Sequence, residues 1–168
     1  ITLPHRVAAP GPFAARAGAE AVWREFGWRH PVAIDLGQSR LKAYTPQSSR
    51  TLERDPAHLP FGANALDLPL ARRRLQHFVA QALPPSFDGA VLAIPCRLSA
   101  NGDAEPCTYP GLFGAMAPLF AELFGGVPWV LMNDTVLAAR GSPPPPGRKL
   151  LTVTLGFGAG AAVWDNRR

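Results

Sequence analysis

The stretch Pro31-Val-Ala-Ile-Asp-Leu-Gly-Gln-Ser-Arg-Leu-Lys-Ala-Tyr44 is the pattern from which the rest of the chain is interpreted. The apolar run at 32–34 predicts a buried strand, Asp35 stands at its end, and residues 41–44 predict a return strand. Between the strands, Gly37 permits a tight turn whose backbone N–H groups can approach a phosphate closely. The stretch therefore predicts a β-hairpin with an acid beside its turn.

Polar and charged side chains around this turn suggest what the hairpin binds. Gln38 and Ser39 complete the turn, and Arg40 and Lys42 add positive charge. Asp35 would repel a bare phosphate, so its position makes sense if a metal ion accompanies the phosphate. Two hypotheses stay open from this stretch alone, a site for a nucleotide–Mg²⁺ complex and an ordinary β-hairpin with a Gly turn.

Length and composition allow one domain of ordinary size or two small lobes. The chain has 168 residues, of which 47% are apolar, and this is enough for a hydrophobic core. A net charge of +5 favours anionic partners without choosing among nucleotides, nucleic acid and acidic surfaces. The basic cluster Arg72-Arg73-Arg74 falls in a predicted helix and is interpreted as a solvated face, so nucleic acid is the least favoured partner.

Cysteine usage and hydropathy indicate the setting in which the chain works. Cys96 and Cys107 match no zinc motif, so a reduced, cytoplasmic location is the default expectation, with a disulfide possible. No apolar run approaches 18 residues, which predicts no membrane span. The chain begins with Ile instead of Met and lacks a signal-peptide pattern, which suggests a processed, trimmed or partial chain.

Apolar periodicity predicts an alternation of helices and strands. Helices are expected at 14–26, 67–83, 112–124 and 136–140. Apolar runs predict further strands at 90–94, 127–132, 150–155 and 161–164. Residues 45–62 are expected to form a loop with one edge strand, and Asn101-Gly102 a hairpin turn. The predicted fold class is α/β, with a mixed sheet and flanking helices.

Three motifs follow one another in an order that resembles a known superfamily. They are the hairpin at 34–39, the segment Val130-Leu-Met-Asn-Asp-Thr-Val136, and the Gly-rich hairpin Thr154-Leu-Gly-Phe-Gly-Ala-Gly160. Each motif alone is weak, because a Gly-rich turn occurs by chance and Asn-Asp-Thr can be a helix cap. Together they resemble the front part of the actin-like ATPase superfamily, in its sugar-kinase branch of hexokinases, glucokinases and ROK-type kinases. The strand and Pro turn at 91–96 resemble the segment that lines the sugar site.

The resemblance implies a ribonuclease H-like lobe, the cofactors ATP and Mg²⁺, and a role for each motif residue. Phosphates would be clamped by two hairpins, at Gly37, Gln38, Ser39, Arg40 and Lys42 on one side and Gly156, Gly158 and Gly160 on the other. Asp35 would hold Mg²⁺ through water. Asp134 would accept the proton of the attacking sugar hydroxyl, and Asn133 would bind the sugar, with Ser99 and Thr108 as further candidates.

The same resemblance divides the chain into segments. Residues 1–30 form an N-terminal arm and helix, 31–141 the first lobe, 142–149 a Pro-rich connector, and 150–168 the first hairpin of an incomplete second lobe. A lone pair of strands is marginal in water. The hairpin is therefore expected to pack on the first lobe, to pair in a homodimer, or to continue into a C-terminal lobe.

Departures from the family pattern keep a second function open. Gln38 replaces a small residue of the first hairpin, Phe157 stands where Thr or Ser is common, and Lys42 better fits glycerol-kinase-type or cell-division members. The favoured function is ATP-dependent phosphoryl transfer to a sugar hydroxyl. The alternative is a non-catalytic relative that acts as a nucleotide- or sugar-responsive scaffold or regulator.

Overall fold

The computed structural model describes residues 13–55, 68–107, 112–155 and 159–165 of the chain. The strands are β1 (Val32–Leu36), β2 (Arg40–Tyr44), β3 (Ser49–Glu53), β4 (Ala90–Ile94), β5 (Trp129–Asn133), β6 (Lys149–Leu155) and β7 (Ala159–Asp165). The helices are α1 (Phe13–Phe26), α2 (Leu68–Ala80), α3 (Ala117–Phe124) and α4 (Asp134–Arg140).

One mixed sheet of five strands, in the order β3-β2-β1-β4-β5, organises the fold. β1, β4 and β5 are parallel, whereas β2 and β3 are added antiparallel at one edge. The α/β class with a mixed sheet is thereby confirmed, as is the edge strand expected within 45–62. Because the carboxyl ends of parallel strands meet at one edge, the residues that follow β1, β4 and β5 lie together.

Helices cover both faces of the sheet because its central strands are apolar on both sides. On one face, Ile34 and Leu92 pack with α2 and α3 through residues such as Leu75 and Phe120. On the other face, alternate strand residues pack with Val22, Trp23 and Leu137 of α1 and α4. α1 is thus part of the core, not a loose extension. No helix among the described residues is long and apolar enough to cross a membrane.

Two helices are shorter than their apolar stripes predict. The stripe at 112–124 becomes helical only from Ala117, because Gly114 has φ +76° and its backbone pairs with Ala104 instead. Leu112 is nonetheless fully buried. At this end of the stripe, the apolar spacing therefore reflects burial in the core and not helix formation. α2 ends at Ala80, and the next residues continue in turns that replace the last predicted turn of helix.

The two cysteines are joined in a disulfide, which differs from the reduced pair taken as the default. Cys96 and Cys107 have Cα atoms 5.4 Å apart and close a loop that follows β4. Within this loop, Gly102 has φ +80° and an antiparallel bridge joins Leu98 to Ala104, so the predicted hairpin turn is present. Disulfides are typical of oxidising compartments. The cytoplasmic location therefore stays a prediction.

The β6–β7 hairpin forms a second, two-stranded sheet that packs on α4. Its inner face carries Thr154 and Trp164, and the Arg140 guanidinium lies 5.8 Å from the Trp164 ring centre. Its outer face exposes large apolar side chains, among them Leu151, Leu155 and Val163. The hairpin thus packs on the first lobe, which is one of the three arrangements expected for it.

Candidate functional site

A cleft of about 1120 Å³ opens where the parallel strands end. One wall is the β1–β2 hairpin, the floor is formed by the ends of β4 and β5 with the first turn of α4, and the opposite wall is the β6–β7 hairpin. Ligands of open α/β sheets bind outside the carboxyl ends of strands. The cleft therefore lies where the fold favours a binding site.

Two carboxylates from different strands share this cleft. Asp35 is on β1, and Asp134 follows β5 as the first residue of α4. Burial raises the pKa of Asp35, the Lys42 charge lowers it, and the charge of Asp134 raises it again, with a net upward change. Burial also raises the pKa of Asp134, against hydrogen bonds from Thr135 that lower it. Both acids are thus held at an electrostatic cost, as is common in functional sites.

Cations from β2 and from the loop after β4 line the same cleft. Lys42 Nζ lies 3.5 Å from Asp35 Oδ2, across the β1–β2 pair. Arg40 and Arg97 also line the cleft, but both are largely exposed, and they pair with Glu53 at 2.9 Å and with Glu105 at 3.6 Å. Such an exposed pair contributes little stability. The cleft therefore offers positive charge beside its carboxylates, which suits an anionic ligand that arrives with a cation.

The first hairpin turn is held rigid by a residue that the sequence patterns did not indicate. Gly37 N–H donates to the Arg40 carbonyl at 2.9 Å, and a Cβ on Gly37 would come within 2.8 Å of that carbonyl oxygen. Arg54, which is almost fully buried, donates from Nη1 to the Gln38 carbonyl at 2.6 Å and from its backbone N–H to the Ser39 carbonyl at 2.9 Å. The turn is thus fixed before any ligand binds.

Asn133 has a structural role at the start of α4. Its Oδ1 accepts from the N–H groups of Thr135 and Val136, at 3.0 and 3.3 Å, which is a helix N-cap. Its Nδ2 donates to the Cys96 carbonyl at 3.1 Å. The amide that was expected to bind a sugar is therefore engaged by the backbone on both sides. The cap fixes where the next residue, Asp134, enters the cleft.

The remaining predicted residues divide into three groups. Gly160 lines the cleft on β7, whereas Gly156, Gly158 and Thr108 lie outside the described residues. Ser99 is part of the turn after β4, where its Oγ accepts from the N–H groups of Asn101 and Asp103, at 3.3 and 3.2 Å. A hydroxyl committed to its own turn is typical of an ST motif. Ser99 does not line the cleft.

The two carboxylates of the cleft suit a Mg²⁺ ion that keeps several of its waters. No cluster of three or more His, Cys, Asp or Glu side chains forms a metal cage among the described residues. Mg²⁺ is commonly bound by one or two carboxylates together with substrate phosphates and several waters. Asp35 and Asp134 in one cleft fit this mode, because their mutual repulsion is what a bound cation would relieve.

We expect Asp35→Asn to stabilise the protein at neutral pH. Because the pKa of Asp35 is raised on folding, its ionisation opposes the folded state. Wild-type stability should therefore fall, relative to the variant, as the pH rises from the ordinary aspartate pKa through the raised one. Above that window, urea unfolding should show a gain on the order of 1 kcal/mol for the variant, as for other stabilising substitutions at costly sites. Below it, the two proteins should be equally stable.

Asp88→Asn is the control, and its effect on the stability of the fold is expected to be opposite to that of Asp35→Asn. Desolvation acts upward on the pKa of Asp88, but hydrogen bonds from the backbone N–H groups of Arg29 and His30, at 2.7 and 2.9 Å, lower it overall. This substitution should therefore destabilise the protein at neutral pH. A loss of stability in Asp35→Asn at pH 7 would show that the Asp35 carboxylate supports the fold instead of opposing it.

Sequence reasoning named both acids that line the cleft and missed the residues that hold them. Thr135 belongs to a quoted motif, but its partner Thr154 lies 19 residues further along the chain. Nothing in the sequence singles out Arg54 as the support of the first turn. Scans of this chain against protein-family models and against curated proteins find no match.

Proposed function

We propose that this chain binds a nucleotide–Mg²⁺ complex in the cleft and transfers a phosphoryl group to a sugar hydroxyl. The observation that carries the proposal is the meeting of Asp35 and Asp134 in one cleft, between two hairpins and beside Lys42. Phosphoryl transfer needs positioning and charge neutralisation more than covalent chemistry. This arrangement of acids, cation and turns supplies both.

Each side chain has one task in the proposed reaction. Lys42 neutralises phosphate charge on the β2 side of the cleft. Asp35 holds Mg²⁺, which supplies charge neutralisation at the phosphates when it is bound. Asp134 accepts the proton of the attacking hydroxyl, and a raised pKa brings its basicity closer to that of a proton acceptor working near neutral pH.

Binding tests the first half of the proposal. Calorimetric titration with Mg²⁺–ATP should give saturable heat for the wild type, and Lys42→Met should weaken binding about tenfold or more because one phosphate contact is lost. Lys149→Met is the matched control, since Lys149 pairs with Asp165 at the far end of the β6–β7 hairpin. Absence of binding at millimolar nucleotide, or equal losses in the two variants, would contradict a phosphate site in the cleft.

Turnover tests the second half. A coupled assay of ATP consumption over a panel of hexoses should show sugar-dependent turnover. Nucleotide binding without turnover on any sugar would instead support the non-catalytic alternative, a nucleotide-responsive scaffold. The engagement of Asn133 by backbone groups favours that alternative, because it removes one expected sugar contact.

A further inference from the structure

Thr135 contacts both the proposed proton acceptor and the second hairpin. Its side chain is 1% exposed, at the start of α4. Its Oγ1 donates to Asp134 Oδ1 at 3.2 Å, and its N–H donates to the same oxygen at 2.7 Å. On its other side, Oγ1 lies 2.7 Å from Thr154 Oγ1 on β6. One buried hydroxyl therefore bridges the acid and the opposite wall of the cleft.

The direction of this hydrogen-bond chain follows from counting protons. A Thr hydroxyl has one proton to donate and lone pairs with which to accept. Because the proton of Thr135 is directed to the Asp134 carboxylate, the proton between the two hydroxyls comes from Thr154. The chain therefore runs from Thr154 to Thr135 to Asp134, and each bond polarises the next.

Gly160 makes room for this chain. It is the cross-strand partner of Thr154 in the β6–β7 pair. A Cβ at Gly160 would lie 2.1 Å from Thr135 Oγ1 and 2.7 Å from Thr154 Oγ1, closer than atoms can approach. The two hydroxyls are therefore seated against bare backbone, so the hairpin can dock closely on the first turn of α4.

We propose that Thr135 is a positioning residue that couples the docking of the β6–β7 hairpin to the orientation of the Asp134 carboxylate. With Thr154 in place, Thr135 points its proton at Oδ1 and holds the carboxylate in one rotamer. Without the Thr154 contact, the Thr135 hydroxyl would be free to rotate, and the carboxylate would lose one of its two restraints from this residue. The catalytic consequence rests on the proposed function, whereas the coupling itself does not.

A purely structural Thr135 leads to different expectations. If the residue only fills space, Thr135→Val, which has nearly the same shape, should preserve the site. If its hydroxyl positions the acid, Thr135→Val should disturb the site and Thr135→Ser should restore it. Thr154→Val should act in the same direction at a distance, because Thr154 reaches Asp134 only through Thr135 in the observed hydrogen-bond chain.

The experiment compares Thr135→Val, Thr135→Ser, Thr154→Val and the control Thr152→Val. Thr152 lies on the same face of β6 as Thr154, two residues earlier, and is paired with Ala162. The first readout is the ¹³C carboxyl resonance of Asp134 at constant pH, assigned by its loss in Asp134→Asn. We expect Thr135→Val and Thr154→Val to shift this resonance, and Thr135→Ser and Thr152→Val to leave it in place.

The second readout is steady-state turnover with sugar and Mg²⁺–ATP. Loss of a hydrogen bond to a charged group predicts a fall in kcat of about tenfold to a hundredfold in Thr135→Val, with KM for ATP little changed. If the wild type shows no turnover, the proposed function fails while the resonance still tests the coupling. An unmoved Asp134 resonance in Thr154→Val, or a failure of Thr135→Ser to restore it, would overturn the coupling.

Discussion

Asp134→Asn is expected to lower sugar-dependent ATP turnover by about a hundredfold to ten-thousandfold, the range in which a positioned general base contributes. The amide has nearly the shape of the carboxylate and its Oδ1 can still accept from Thr135, so the first turn of α4 should remain intact. Basicity is the property that is lost. The measurement is kcat in a coupled assay at saturating Mg²⁺–ATP and sugar.

Two further measurements make this result specific. Nucleotide affinity of Asp134→Asn, measured by calorimetry, should stay within a few fold of the wild type, because the proposed phosphate contacts come from the β1–β2 hairpin. Asp103→Asn, in the turn after β4 and outside the cleft lining, is the control and should keep full turnover. Undiminished kcat in Asp134→Asn would exclude this acid as the proton acceptor.

Gly18→Ala is expected to destabilise the protein by about 3 kcal/mol, although helix propensity alone argues for a gain of about 1 kcal/mol. Gly18 lies in the middle of α1, where α1 crosses α4. A Cβ at this position would lie 1.7 Å from the Leu137 carbonyl oxygen, a backbone atom that moves only if α4 moves. At the same crossing, a Cβ added to Gly141, directly after α4, would lie 2.8 Å from Gly18 N, so a glycine on each side of the crossing permits the close approach.

Urea unfolding measures the effect of Gly18→Ala. The control is Ala14→Gly on the exposed side of the same helix, which should cost only the propensity difference, about 1 kcal/mol. Because α4 carries Asp134, a displaced α4 should also lower turnover in molecules that remain folded. A stability gain from Gly18→Ala would show that the two helices do not approach as closely as described.

The strands and turns were predictable because local patterns determine them. The fully apolar run of β4 indicated a strand buried on both faces, and β4 lies between β1 and β5 with helices on each side. The Gly turn after Asp35 indicated the β1–β2 hairpin. Helix lengths were less predictable, because a residue can follow the helical apolar spacing without being in a helix. Leu112 is an example, since it is buried but belongs to a non-helical segment that pairs with the loop after β4.

The candidate site was predictable only in part, for a related reason. An acid at the end of an apolar run lies at the carboxyl end of a strand whatever its partners are, so the position of Asp35 followed from the local pattern. Asp134, which follows Asn133, was proposed because its motif resembles a known superfamily. Their meeting in one cleft depends on β1 and β5 being parallel neighbours of β4. The disulfide between Cys96 and Cys107 likewise depends on where the loop after β4 folds back.

The sequence by itself determined the α/β class and the main strands and hairpins, because apolar periodicity and glycine turns act over a few neighbouring residues. Only the tertiary structure decided that the Asn133 amide donates to the Cys96 carbonyl, that Arg54 supports the first turn, and that Thr135 links Asp134 to Thr154. These roles arise from contacts between residues brought together by packing. Their partners are set by the arrangement of whole elements, which no local pattern encodes.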